Sequence, residues 1–417
     1  MDWVYLDNNA TTQPAPPVVE AVLQMLQQTW ANPSSVHRFG QTARQRVELA
    51  RASVARLIGC RDRELVFTSG GTEANNLALR GALEGTVAPS SGGGRSRLLV
   101  TTKIEHAAIR EPVEALAEAG VDVVYLPTDA DGVIDPADLA TSLKEHACDR
   151  PVTLVSVQWA NNETGVIQPI AALSGAVGGF RESELARHGV RSRVLFHTDA
   201  TQAVGKLPVA VGAAGVDLLT LAAHKFHGPK GAGALFVRQG VRLRPQNRGG
   251  PQERERRGGT ENTPGIVGMG VAADLARQFL TDTAGIESLR ARRDRLERGV
   301  ADAWPDTVVN SGGAARLWNT TNLGFPRLEA EAILLGLSER GVCASAGAAC
   351  SSGSLDPSPV LLAMGVPEPV AHGSIRLSIS RWTTDDEIDR AVAIVPEVVR
   401  RLARSLPTGR PQERVKA

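Results

Sequence analysis

Short apolar runs alternate with amphipathic stretches along the first two thirds of the chain. Seven runs read as strands, at 65–69, 98–102, 121–126, 152–158, 194–198, 216–221 and 234–237. Several are largely apolar rather than alternating, as expected of strands covered on both faces. Helical patterns fall at 18–28, behind Pro14, Pro16 and Pro17, and at 73–83, directly after the first of these strands. The pattern predicts an α/β fold with a mainly parallel, seven-stranded sheet flanked by helices. Past residue 265 the pattern changes to a long helix at 285–303, charged on one side, and a strand at 320–325. The expected organisation is an N-terminal arm (1–20), a large domain (21–265), a smaller α+β domain (266–405) and a polar tail (406–417), expected to be disordered. Residues 85–97 are expected to form a flexible loop, and the glycine-rich stretch 174–193 reads as an insertion.

With 417 residues the chain is long enough for two domains. Its 46 basic and 45 acidic residues nearly cancel, which gives no general attraction to nucleic acid or anionic membrane. The basic run 238–257 lacks interleaved aromatics and contains Glu253 and Glu255, so it reads as a solvated edge loop. No signal-peptide pattern opens the sequence, and no run of 18 apolar residues occurs. Four cysteines with no C-x-x-C pair fit a reducing compartment, and the expected location is cytoplasmic.

Only six of the basic residues are lysines, so each can be weighed as a catalytic candidate. Lys225 follows an apolar strand, where desolvation lowers an amine's pKa and frees it for attack on a carbonyl. Lys230, among glycines, is the weaker candidate. Thr68-Ser69-Gly70-Gly71-Thr72-Glu73 joins a strand to a helix, and small residues there let backbone N–H groups approach a phosphate. Taken alone it could equally be an ordinary capped helix start. Asp199 follows another strand and could pair with a protonated pyridine nitrogen. Phosphate turn, aspartate and lysine thus occur in order, each at a strand end, where ligands of open α/β sheets collect. Cys350 lies in Ala344-Ser345-Ala346-Gly347-Ala348-Ala349-Cys350-Ser351-Ser352-Gly353-Ser354, small and polar enough for a mobile thiol-bearing loop. The spacings of His37, His227 and His372 to Cys350 match no closed zinc pattern, so no permanent metal is expected.

Taken with YLDNNATT, NPSSVHRFG, EHAAI, NNETGVIQPI, HTDATQAVGK, AHKFHGPKG, RGGTEN and IRLSISRWTTDDEID, these segments resemble the group I, NifS/IscS-type cysteine desulfurases of the class V aminotransferase family, over nearly the whole chain. The resemblance implies a fold type I pyridoxal-phosphate enzyme. It implies that L-cysteine is converted to L-alanine and a persulfide on Cys350, which passes to a sulfur acceptor such as an iron–sulfur scaffold or a thiolation enzyme. It further implies that Lys225 holds the cofactor, Asp199 faces the pyridinium and Gln202 the ring hydroxyl. His106 stacks on the ring. Gly71, Thr72 and His224 attend the phosphate, and Asn162 lies near ring hydroxyl and substrate. Arg376 clamps the substrate carboxylate, and Thr260 reaches the phosphate of the other subunit in a homodimer. Cys350 could also ligate an iron–sulfur cluster transiently. A selenocysteine lyase or another class V lyase or aminotransferase is the alternative. The family carries serine three residues before the lysine, where this chain has Ala222. Weaker cofactor retention is therefore expected, unless Thr220 or His227 supplies the missing donor.

Overall fold

The computed structural model describes residues 2–84, 97–148, 150, 153–189, 194–346 and 356–405. After a short first strand, β1 (Val4–Tyr5), come the seven expected strands: β2 (Leu65–Thr68), β3 (Leu98–Thr102), β4 (Asp122–Leu126), β5 (Thr153–Ser156), β6 (Val194–Asp199), β7 (Leu218–Ala222) and β8 (Gly233–Val237). They form one sheet in the order β2-β8-β7-β6-β5-β3-β4. Only β8 runs against its neighbours, so the carboxyl ends of β2, β3, β5, β6 and β7 share one edge. Every residue of β2, β3, β5, β7 and β8 is buried, as their largely apolar, non-alternating runs required.

Helices α1 (Pro16–Gln28), α2 (Arg38–Ile58), α3 (Gly71–Glu84), α4 (Ala107–Glu118), α5 (Pro136–His146) and α6 (Ile170–His188) cover this sheet. Leu77, Leu79, Val113 and Leu116 of α3 and α4 pack on Val66, Leu99, Leu154, Leu218 and Leu235 of one face. The other face, with Phe67, Val100, Val155, Phe196 and Phe236, is covered by Val47, Val54 and Ile58 of α2, Leu139 and Leu143 of α5, and α6. A further helix, α7 (Thr263–Phe279), adds Ile266, Met269 and Ala272 to this second core.

The stretch read as an insertion is mostly α6. Its three glycines, Gly175, Gly178 and Gly179, are poor helix formers, but Leu173, Val177 and Phe180 recur at helical spacing and are buried in the core. Tertiary packing there overrides propensity. The loop expected at 85–97 and the tail at 406–417 fall, apart from Arg97, outside the described residues.

A separate core forms around the antiparallel strands β9 (Val308–Val309), β10 (Thr320–Gly324) and β12 (Ser374–Ser378), with β11 (Val342–Cys343) beside them. Leu323, Phe325, Ile375 and Leu377 pack there against α8 (Thr283–Ala303), α9 (Ala330–Glu339) and α10 (Asp385–Ser405). β1 pairs in parallel with β11, so the N-terminal arm enters through this second core and then crosses to the large sheet.

The arginine run is largely spoken for. Arg238 donates to the Val216 carbonyl, Arg256 to those of Arg63 and Leu65, and Arg257 pairs with Glu73 at 2.8 Å. Glu253, Arg254 and Glu255 all have positive φ (47°, 58° and 63°), a left-handed turn that costs non-glycine residues about 1–3 kcal/mol each. The turn is held by the buried Glu253 carboxylate, which takes both ends of the buried Arg51 guanidinium (2.7 and 2.9 Å) and the Phe67 N–H.

Candidate active site

The carboxyl edge of the large sheet opens into a cavity of about 410 Å³. Strand ends supply its walls. After β2, the chain turns through Ser69 and Gly70 into the amino end of α3. Glu73 accepts from the Ser69 N–H at 2.8 Å and is itself pinned by Arg257. A side chain on Gly71 would place its Cβ 3.1 Å from Thr201 Oγ1 and 3.7 Å from Ala222 Cβ, so glycine keeps this cradle open. Asp199 ends β6, with Oδ2 accepting from Asn75 at 2.7 Å and Oδ1 from the Thr201 N–H at 2.9 Å. Past β7, a single tight turn carries His224 and Lys225. Lys225 Nζ donates to the carbonyls of Asn9 (2.6 Å) and Ala10 (2.8 Å) of the N-terminal arm.

His106 caps α4, its Nδ1 accepting from the Ala108 N–H at 3.0 Å. Burial, with help from the cations Lys225, Arg110 and Arg376, holds its pKa below the usual imidazole value against the pull of Asp199. His224 is pushed down to about 4 by burial and by Lys225, Lys230 and Lys206. Both rings are therefore neutral at pH 7. Arg376 reaches in from β12 and is 2% exposed. It donates to Asp7 Oδ1 (2.7 Å) and to the Asn162 carbonyl (2.9 Å).

Gly71, Thr72, His106, Asn162, Asp199, Gln202, His224, Lys225 and Arg376, all singled out from sequence, line this one cavity. Thr260 is exposed and does not. Cys350 lies outside the described residues. His37 caps α2, His227 faces the Gln13 carbonyl and His372 lies between Glu329 and Glu368, so the three stand at separate places. Neither alternative donor for Ala222 serves. Thr220 is fully buried and bonded to His197 Nε2 at 3.1 Å, and His227 does not line the cavity.

Reading the sequence missed five residues. Asn9 and Asn75 carry no charge that would mark them, and Thr201 looks like an ordinary turn residue. Lys206 was one of only six lysines, and that scarcity was a usable signal. Glu105, beside His106, is 1% exposed, with Oε1 accepting from the Gln158 N–H and the Thr102 hydroxyl, both at 3.0 Å. Burial pushes its carboxyl up to about 8, the two hydrogen bonds oppose this, and Asp199 adds to it.

The folded state thus favours protonated Glu105, while the unfolded chain holds it near 4.5. Its contribution to stability is complete below about pH 4.5 and is lost as pH rises to about 8. Glu105→Gln, which mimics the neutral acid, is expected to flatten the decline in urea midpoint between pH 5 and 8. Parallel curves for the two proteins would count against this account.

Fourteen buried side-chain polar atoms have no hydrogen-bond partner among the described residues. Six of them line this cavity: Asn75 Oδ1, Glu105 Oε2, Arg110 Nε, Asn162 Oδ1, Thr201 Oγ1 and Arg376 Nε. Unpaired buried polar atoms are costly, so such a concentration marks the place of a polar ligand. An acid for a ring nitrogen, a glycine cradle at a helix start for a phosphate, and a strand-end amine together fit pyridoxal phosphate.

Comparison with known proteins agrees. The family described as Aminotransferase class-V matches residues 4–391. "Cysteine desulfurase 2" of Trichormus variabilis is 46% identical over 402 residues, covering 96% of this chain and 94% of the relative. "Cysteine desulfurase NifS" of Azotobacter vinelandii is 42% identical over 405 residues, covering 97% and 94%. A solved structure titled "NifS-like protein" superposes with a TM-score of 0.84 at 33% identity, covering 96% of this chain and all of that one. The chain belongs to the class-V aminotransferase family. Within it, the chain groups with the NifS/IscS-type cysteine desulfurases.

Proposed function

We propose that this chain is a pyridoxal-phosphate-dependent cysteine desulfurase that forms L-alanine from L-cysteine and carries the sulfur as a persulfide on Cys350. The observation that carries the reading is the convergence of Lys225, Asp199, His106 and Arg376 on one cavity rich in unpaired polar atoms. When bound, the cofactor supplies an electron sink at the substrate's α-carbon.

The protein's own groups do the rest. Asp199, oriented by Asn75 and the Thr201 N–H, holds a negative charge where the ring nitrogen is to stay protonated. Gly71, Thr72 and the start of α3 offer N–H groups to a phosphate, with His224 alongside, and Gln202 and Asn162 serve the ring hydroxyl. Arg376, already fixed by Asp7 and Asn162, presents a planar fork to the substrate carboxylate. Lys225 holds the cofactor and moves the proton at the α-carbon, and His106, neutral and half-buried, covers the ring. The Cys350 thiolate attacks the substrate sulfur. A sulfur–sulfur bond forms and the carbon–sulfur bond breaks. The electron pair left on carbon takes a proton, and alanine leaves. An acceptor protein then takes the persulfide sulfur.

A homodimer belongs to this reading. Val19, Leu23, Leu26 and Trp30 are exposed at helical spacing along and just past α1, and Phe39 packs edge-on against Trp30 at 5.2 Å. Such a stripe suits burial by a second copy, and Thr260, turned away from its own cavity, is free to serve the partner's. A division into arm, large domain and small domain fits the two cores. Among the described residues no helix is long and apolar enough to cross a membrane. We place the enzyme in the cytoplasm, without direct contact to nucleic acid.

Thr201 takes the part of the donor that Ala222 lacks, because its unpaired hydroxyl and Ala222 flank the same glycine cradle. Thr201→Val is expected to speed cofactor dissociation about tenfold, the equivalent of one hydrogen bond. Ala222→Ser is expected to slow it by less than about threefold. Absorbance-monitored dissociation into apo-protein traps checks both, and a large gain from Ala222→Ser with no loss from Thr201→Val would refute the assignment.

The function itself is tested by incubating the purified, cofactor-loaded protein with L-cysteine and measuring alanine and sulfide in the presence of a thiol. Equal amounts of both are expected. Failure to form alanine would overturn the reading.

A further inference from the structure

We propose that Lys206 is a positioning residue that fixes the Gln202 amide, and through it the hydrogen bond offered to the cofactor's ring oxygen. The inference rests on the pyridoxal-phosphate reading above and assigns a buried lysine that reading does not use.

Lys206 is 5% exposed and follows Asp199 and Gln202 in the turn after β6. Gly205 makes that turn at φ 80°, and a side chain there would put its Cβ 2.4 Å from Phe226 Cβ. The lysine is thereby folded back behind the cavity wall. Nζ donates to Gln202 Oε1 at 2.5 Å and to Asn9 Oδ1 at 3.1 Å. Gln202 Nε2 in turn donates to the Asn9 carbonyl at 2.9 Å, the same oxygen that receives Lys225 Nζ. Reversing the Gln202 amide would set its NH2 against the lysine's N–H groups and its oxygen against a carbonyl. Both clashes would be buried, where neither group could turn to water. The amide is therefore locked with its NH2 toward Asn9, and its second hydrogen is available to the cavity that Gln202 lines.

The lysine reaches both acceptors from a buried position. Burial, with Lys225 and Arg376 nearby, drives its pKa well below the usual lysine value.

Lys206→Met keeps the stem and removes both donors. Gln202 Oε1 then loses the donor that holds it, and only the Asn9 carbonyl is left to orient the amide. The expected result is a rise of about one pH unit in the titration midpoint of the bound chromophore, and about tenfold weaker pyridoxal-phosphate binding. Neither change should appear when Lys206→Met is made in a Gln202→Leu background, because the group through which Lys206 acts is gone. A lysine that merely fills space would shift both backgrounds alike, and that outcome, or an unchanged chromophore and affinity, overturns the proposal. Should Lys206→Met fail to fold, Lys206→Leu, which likewise carries no donor, is read by the same two measurements, with values equal to wild type again overturning it. A wild-type protein that binds no pyridoxal phosphate would instead overturn the cofactor reading.

Discussion

Lys225→Ala is expected to stop alanine formation, with turnover down at least about 10³-fold, and to abolish covalent retention of the cofactor. Two tasks disappear with one side chain. The covalent tether is lost, and so is the base at the α-carbon. The fold should survive. The amine's partners are the carbonyls of Asn9 and Ala10, and the Asn9 carbonyl keeps its bond from Gln202. The remaining pocket should still hold the cofactor without a covalent bond, so absorbance should shift toward that of the free aldehyde and the cofactor should wash out on dialysis. Added methylamine would be expected to restore a trace of activity. Turnover above a few percent of wild type would show that another group serves as base. Lys206, the buried lysine nearby, is already engaged with Gln202 and Asn9.

Cys350→Ala is expected to leave the chromophore and cysteine binding unchanged, to remove the protein-bound persulfide, and to cut alanine formation about 100-fold or more. No other cysteine among the described residues can stand in. Cys60, Cys148 and Cys343 do not line the cavity. Burial together with Glu64 and Asp62 pushes the Cys60 thiol up to about 12, and burial and Asp7 raise that of Cys343. Such groups supply little thiolate at neutral pH. Labelling with ³⁵S-cysteine, followed by non-reducing electrophoresis, reads the persulfide directly. A fully active Cys350→Ala protein without label would favour the selenocysteine lyase alternative and end the persulfide assignment.

Much of the fold was legible in the sequence for one physical reason. The strands of a sheet covered on both faces are largely apolar runs without alternation, and all seven were visible, displaced by a residue or two at their ends. α6 was not legible, because its glycines carry a turn-like signature and only the packing of Leu173, Val177 and Phe180 makes it helical. The chemistry of the site showed where residue type and strand-end position coincide, as for Asp199 and Lys225. His106 and Arg376 needed the family resemblance. Asn9 and Asn75 act through hydrogen bonds between segments far apart in sequence, and nothing in their local sequence signals such bonds, while only the folded chain brings Thr201 against the Gly71 cradle. The protonation of Glu105 is likewise a product of burial that no local pattern reveals.

The arm that holds Lys225 also sets an order of events during synthesis. Asn9 leaves the ribosome long before its partners, for its N–H finds Ser378 Oγ 369 positions later, and its side chain bridges to Thr320 and Asn319. β1 likewise waits for β11. The large sheet can close while the arm still lacks these partners, so the nascent enzyme has an unfinished pocket until residue 378 is out. Vectorial synthesis therefore completes the lysine's seat late, and truncations that end before residue 374 should be folded in part yet unable to hold the cofactor.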